Sequence, residues 1–181
     1  MDQTDDDSVA LDAARGDRAA FARLVTTHYE RIHALAWRFT GGPPDSEDLA
    51  QDICVSLGNK IRSYRGESRF TTWLYKVVLN AARDRVRRDG ARARTAAAFG
   101  ELDELRRDES REQAKSADWL RSEIAQLKSE LRETAVLVLD EGMSHAQAAE
   151  VLEIKETTVS WRLMKVREAL SVRAKEEGLR A

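Results

Sequence analysis

The only two prolines of this chain stand side by side in Gly41-Gly42-Pro43-Pro44, and on both sides of that breaker apolar residues recur at steps of three and four. Such spacing draws one apolar stripe along an α-helix, and no stretch alternates with the period of two that a half-buried strand needs. The first run is Phe21, Leu24, Val25, His28, Ile32, Leu35, Ala36 and Phe39, with Asp17 as its N-cap. Beyond the breaker Asp45 caps a second helix, with Asp48 three residues on in a capping-box arrangement and Leu49, Ile53, Leu57 and Ile61 facing inward. That helix is expected to end or bend near Gly58-Asn59. After the loop Ser63-Tyr64-Arg65-Gly66-Glu67-Ser68 a third helix starts around Thr71 or Thr72 and runs through Trp73, Val77, Leu79 and Ala82.

Residues 91–117 lose this periodicity and become rich in Ala, Arg and Glu, which reads as a linker or a weakly held helix. The pattern returns at Trp119 with Leu120, Ile124, Leu127, Leu131, Ala135, Val136 and Leu139, and stops at Gly142. Ser144 and Gln147 form a capping box that opens a short helix to about Leu152, a turn follows at Glu153-Ile154-Lys155, and a last helix covers about 156–175. The predicted fold is all-α, with two small helical domains. The predicted boundaries are an acidic N-terminal tail over 1–17, a first domain over 18–90, a linker over 91–117, a second domain over 118–175 and a C-terminal tail over 176–181.

Composition narrows the functional classes. A single cysteine, Cys54, excludes an internal disulfide framework and a multi-cysteine zinc site, and fits a reducing cytoplasm. No apolar run approaches the roughly 20 residues that cross a bilayer, so no direct membrane insertion is expected. His28 and His33 are five residues apart, off the usual metal-ligand step on a helix, and His145 lies inside a capping box. With no glycine-rich phosphate loop and no setting for a nucleophile, no catalytic residue, metal or cofactor is expected, and the chain does not read as an enzyme.

The net charge of −2 conceals a strong asymmetry: residues 1–17 sum to −5 and residues 61–94 to +7. Charge acts within a Debye length of about 8–10 Å, so the local excess is what a partner meets. Such a segment suits a polyanion, although a solvated helix face would have the same composition. Within it Trp73, Lys76, Asn80, Arg83 and Arg87 follow at steps of three and four and share one helix face, preceded by a loop holding Arg65 and Arg69. An indole for stacking, an amide for base edges and cations for phosphates suit a strand whose bases are unstacked. A core Trp73 beside a merely soluble cationic face is the alternative reading.

The second domain has the proportions of a helix-turn-helix, and the front of its last helix displays Thr157, Thr158, Ser160, Trp161, Arg162 and Lys165. Hydroxyls and cations near a helix N-terminus reach base edges and phosphates in a major groove, whereas an ordinary helical hairpin would use the same apolar pattern. Asp45, Glu47, Asp48, Gln51 and Asp52 form an acidic cluster at the start of the second helix. Capping accounts for Asp45 and Asp48 alone, and the rest suit docking of a basic partner helix.

Taken in order, these motifs resemble the extracytoplasmic-function (ECF) group of bacterial sigma factors. Asp45-Ser46-Glu47-Asp48-Leu49-Ala50-Gln51-Asp52 is similar to the region 2 helix that docks on RNA polymerase. Tyr64 to Lys76 with Val78 to Asp84 resembles the loop and helix that open and read the -10 element. Thr158 to Leu170 resembles the region 4 helix that reads the -35 element. The resemblance implies core RNA polymerase, promoter DNA and an anti-sigma factor as partners. It assigns polymerase binding to Asp45, Glu47, Asp48, Gln51 and Asp52. It assigns Arg65, Gly66, Glu67, Ser68, Arg69 and Asn80 to holding a flipped base, with Trp73, Lys76, Arg83 and Arg87 on the same element, and Thr157, Thr158, Ser160, Trp161, Arg162 and Lys165 to the upstream groove. Tyr64, Phe70, Trp73 and Tyr75 are assigned at least in part to packing the loop. In this chain Gly58 stands where relatives carry a large residue, Trp161 replaces a small one, Ser160 a basic one, and Glu153 occupies a turn position often held by Gly. A stand-alone helix-turn-helix regulator, or a sigma mimic that sequesters a regulator, are the rival classes; neither needs a face for single strands.

Overall fold

The computed structural model describes residues 3–42, 46–97 and 115–176, and every element in them is helical. The expected N-cap Asp45 lies outside the described residues, as do 98–114 of the expected linker and 177–181 of the expected C-terminal tail.

The first domain packs four helices: α1 (Gln3–Ala14), α2 (Arg18–Thr40), α3 (Ser46–Lys60) and α4 (Phe70–Ala97), with a 3-10 turn over Ile61–Ser63 before the α4 loop. Asp17 caps α2 as expected, accepting from the N–H groups of Ala19 at 2.8 Å and Ala20 at 3.1 Å. The predicted stripe is the buried face, with Ile32, Leu35 and Ala36 fully enclosed against Leu49, Ile53, Leu74 and Leu79. Gly41 ends α2 in the left-handed conformation, φ 89°, where an L side chain is strained.

One expectation needs correction. The acidic start is not a tail, because α1 buries Val9, Ala10 and Ala13 in the same core and anchors Asp6 against His28. Isolated −5 charge masked the small apolar face that makes this helix dock. Helix α3 ends at Lys60, one residue past the expected Gly58-Asn59, and the Phe21 ring lies 3.7 Å from where a Cβ on Gly58 would stand. Helix α4 starts at Phe70, one residue from the expected start, and its first N–H finds an acceptor elsewhere in the chain.

The second domain holds α5 (Lys115–Gln126), α6 (Ser129–Ala135), α7 (His145–Leu152) and α8 (Glu156–Glu176). A π-helical turn, Val136–Asp140, extends α6 and closes with the Glu141 N–H on the Val136 carbonyl at 3.0 Å. The Ser144–Gln147 capping box forms in both directions. Glu153 adopts φ 58° in the turn, the conformation a glycine would take without strain. Val159, Leu163 and Val166 of α8 pack on Ala148, Val151 and Leu152 of α7 and on Val136 and Leu137.

The two domains meet along α2 and α4 on one side and α5 to α7 on the other. Arg132, 8% exposed, crosses this junction: its Nε donates to the Phe39 carbonyl at the end of α2, and its Nη1 to the carbonyls of Ala125 at 2.9 Å and Leu127 at 3.4 Å. A Cβ on Gly41 would stand 3.0 Å from both the Ala125 oxygen and Arg132 Nη1, so the closeness of the domains there depends on a glycine.

Candidate nucleic-acid interface

The loop before α4 is a closed structure. Tyr64 Oη donates to the Ser68 carbonyl at 2.8 Å, which ties the two ends of the loop together. Gly66 turns at φ 74°, and Arg65, Gly66, Glu67 and Arg69 are exposed while Ser68 is half-buried. Behind the loop Tyr64, Phe70 and Trp73 form one aromatic cluster, with centroids 5.8–5.9 Å apart, and His28 meets Phe70 at 5.3 Å. The cluster explains why the loop needs several aromatics. Burial and the neighbouring Asp7 carboxylate push the Tyr64 hydroxyl up to about 12, so it stays a proton donor to the loop. Trp73 is half-buried in this cluster and packs against the core, which gives it the supporting role expected for part of the aromatic set.

The α4 stripe forms as one face. Asn80 and Arg87 are exposed, Lys76 and Arg83 half-buried. Its cations are not all open to a partner: Arg83 makes a two-pronged ion pair with Glu133 of α6, at 3.0 and 2.8 Å, and Arg87 pairs with Asp84 one turn before it. Glu133 is itself buried, and its hydrogen bonds hold the Arg83 guanidinium more firmly in the charged form. A broad cleft lies here between the domains, lined by Asn80, Arg83, Arg87, Glu130, Glu133 and Arg162 among others.

On α8 the six expected residues do not share one face. Thr157, Ser160 and Trp161 are exposed, with Trp161 at 54%, and Met164 at 51% joins them. Thr158 and Lys165 sit on one shoulder of that face, where Lys165 Nζ meets Glu168 at 2.7 Å. Arg162 turns away: its side chain is 12% exposed and lies 3.6 Å from Glu130 of α6, inside the interdomain cleft. The physical reason is the helical step, which carries residue 162 round to the shoulder next to the buried Val159 and Val166. Ser160 Oγ meets His145 Nδ1 at 3.0 Å, so the start of α7 and the front of α8 form one polar surface.

On α3 the side chains of Glu47, Asp48, Gln51 and Asp52 are all exposed, and Val55, 79% exposed, stands among them one or two turns on. Sequence reasoning missed Val55 and Met164. The available signal was an aliphatic residue at a position where the helical step places it on the polar face.

Two further groups cross the domain boundary. Arg38 of α2 pairs with Glu141 at 2.5 Å and lies 3.9 Å from Asp140, and Tyr75 of α4 donates its hydroxyl to the other Glu141 oxygen at 2.5 Å. Burial and this bond raise the Tyr75 hydroxyl far above its ordinary range, and burial raises Asp140. Among the described residues no group of three His, Cys, Asp or Glu side chains is placed to hold a metal ion, and no helix is long and apolar enough to cross a membrane.

A helical bundle with an aromatic-backed loop beside an amide and cation stripe, followed by a helix-turn-helix, defines a two-part DNA-binding protein. The Sigma-70 region 2 family matches residues 24–92, and the Sigma-70 region 4 family matches residues 117–170. The chain is 30% identical to the RNA polymerase sigma-H factor of Pseudomonas aeruginosa over 181 residues, covering 94% of each chain. It is 30% identical to the ECF RNA polymerase sigma factor SigM of Mycobacterium tuberculosis over 156 residues, covering 86% of this chain and 78% of that one. Its fold is also that of the sigma factor RpoE solved in complex with the anti-sigma factor NepR from Bartonella quintana, with a TM-score of 0.70, 19% identity, and 86% of this chain and 96% of that one covered. The chain belongs to the sigma-70 family, in its extracytoplasmic-function group. It is therefore a transcription initiation factor, not an enzyme, and directs core RNA polymerase to promoters.

Proposed function

We propose that the first domain captures an unpaired base of the -10 element between the 65–69 loop and Asn80, while Lys76, Arg83 and Arg87 hold the adjoining backbone. The observation that carries this reading is an exposed Asn80 amide on the helix that follows a loop already closed by Tyr64 and backed by three aromatic rings. Extracting a base from a duplex costs a few kcal/mol, and a pocket formed beforehand offsets that cost without further ordering. Arg83 reaches phosphate only when Glu133 lets go, so on this reading the domains separate as DNA is engaged. The second domain grips the -35 element with Thr157, Thr158, Ser160, Trp161 and Lys165, and Met164 adds apolar contact. Fully extended, the 17 residues between α4 and α5 would reach up to about 60 Å, more than one duplex turn of about 34–36 Å.

Glu47, Asp48, Gln51 and Asp52, with Asp45 before them and Val55 among them, form the polymerase-docking face of α3. An anti-sigma factor belongs to the same reading, supported by the fold shared across both domains with a sigma factor solved in such a complex. The cytoplasm, where the polymerase works, is the proposed location. Run-off transcription with core polymerase tests the whole: transcripts from defined start sites are expected only when this protein is added. Tight sequence-specific duplex binding by the protein alone, without stimulation of polymerase, would overturn it.

A further inference from the structure

The acidic helix α1 does something that neither its charge nor the matched family regions account for, since it precedes residue 24 where the first match begins. Helix α4 follows directly on Arg69 rather than on a capping residue. Its first intrahelical acceptor is the Arg69 carbonyl, which receives the Trp73 N–H at 3.1 Å, and an arginine side chain in that place accepts no hydrogen bond. The exposed N–H groups at a helix start are ordinarily satisfied by a Ser, Thr, Asp or Asn just before it. Here the acceptor is Asp7, 63 residues upstream, whose Oδ1 takes the Phe70 N–H at 2.6 Å. The same oxygen lies 3.4 Å from Tyr64 Oη, the group that closes the loop. One turn further along α1, Leu11 packs beneath the loop, with its Cδ2 3.4 Å from where a Cβ on Gly66 would stand. One residue before Asp7, Asp6 meets His28 at 3.1 Å, and the His28 ring stacks at an angle on Phe70. Three successive features of α1 thus converge on the loop and first turn of α4.

We propose that α1 is the positioning element of the base-capturing loop, with Asp7 as its key positioning residue: a remote N-cap that fixes where α4 begins, and hence the conformation of the 65–69 loop that precedes it. This rests on the reading that the loop and Asn80 hold the unpaired base. Asp7 touches no DNA. It acts by holding the Phe70 N–H and the Tyr64 hydroxyl in register, so that the loop presents one conformation to the base.

The test uses holoenzyme on a promoter that it transcribes, and compares Asp7→Ala, Asp7→Asn, Leu11→Ala and Asn80→Ala. Two quantities are read for each: affinity for a fluorescent single strand bearing the non-template -10 sequence, and affinity of the protein for core polymerase. Asp7→Ala and Leu11→Ala are expected to weaken single-strand capture at least fivefold while core binding stays within twofold. Asp7→Asn is expected to recover most of the loss, because its amide oxygen still accepts from Phe70. Unchanged capture in Asp7→Ala and Leu11→Ala beside a defective Asn80→Ala overturns the positioning role and leaves the base-capture reading standing. Normal capture by Asn80→Ala removes that reading and this proposal with it. Equal loss of capture and core binding in Asp7→Ala makes α1 a general stabiliser and also overturns the proposal, as does an Asp7→Asn variant as weak as Asp7→Ala.

Discussion

The loop before α4 and its first turns, proposed to face DNA, are fixed from behind by Tyr64, Phe70, Trp73 and the Asp7 carboxylate, whereas on α8 Thr157, Trp161 and Met164 project from a plain helix resting on Val159, Leu163 and Val166. The two surfaces face different physical tasks. A major groove has a regular shape that accepts a whole helix, so a rigid rod with a well-packed back suffices. An unstacked base has no such frame, and the protein has to supply the geometry in advance. Ordering a loop at the moment of binding would cost about 1–2 kcal/mol for each backbone residue fixed, and the aromatic cluster and remote cap meet that cost during folding. The difference extends to charge. Two cations of the α4 stripe, Arg83 and Arg87, are paired with Glu133 and Asp84, while the exposed face of α8 presents an indole and a thioether to solvent.

The largest effect expected to sharpen this contrast is that of Asn80→Ala. Promoter opening, followed by permanganate reactivity of the -10 thymines, should fall roughly tenfold to a hundredfold, equivalent to about 1.4–2.7 kcal/mol. Thermal stability should not change, because Asn80 is exposed. Trp161→Ala should leave opening of a pre-melted template intact and weaken upstream duplex binding a few-fold. Similar opening defects in both variants would break the comparison.

Next comes Arg132→Ala, which leaves the carbonyls of Phe39, Ala125 and Leu127 without this donor. A cost of about 1–3 kcal/mol is expected in chemical denaturation, with the two domains unfolding in separate steps. A single unchanged transition would show that the junction contributes nothing to cooperativity.

Val55→Asp should weaken core polymerase binding roughly tenfold, the size expected when an apolar contact at the centre of a polar interface is lost. It should not alter stability, since Val55 is 79% exposed. Competition with a labelled sigma factor measures this, and unchanged affinity would move the docking face off α3.

The smallest effect is pH-linked. Burial lowers the His28 pKa below its ordinary value of 6.5, with the nearby Arg31 acting in the same direction and Asp6 opposing both. The unfolded chain therefore takes up the proton first as pH falls, so this contribution to stability is full above about 6.5 and declines below it. Melting temperatures between pH 7.5 and 5.5 should fall more steeply for the native protein than for His28→Gln. Equal slopes would remove His28 from the account.

Much of this was legible in residue order because it is local. Helical period, the Asp17 cap, the Ser144–Gln147 box, the Gly142 stop and the α4 stripe depend on neighbours within about two turns, and Glu153 stands where the turn demands a left-handed residue. The docking of α1 was not legible, because the apolar residues it buries fully, Val9, Ala10 and Ala13, are small or β-branched and stand inside a strongly acidic stretch. Nor was the inward turn of Arg162, since a spacing pattern marks one face of a helix but not how wide that face is once a neighbour packs beside it.

What residue order alone determined is the set of helices, their inward faces and the chemistry displayed on α3, α4 and α8. Only the tertiary structure decided which of those groups are engaged from within: Arg83 by Glu133, Tyr75 by Glu141, and the Phe70 N–H by Asp7. The physical reason is separation along the chain. Helix periodicity is set within a few residues, whereas these pairs join groups 50, 66 and 63 residues apart, and only packing of the core brings them within hydrogen-bonding distance.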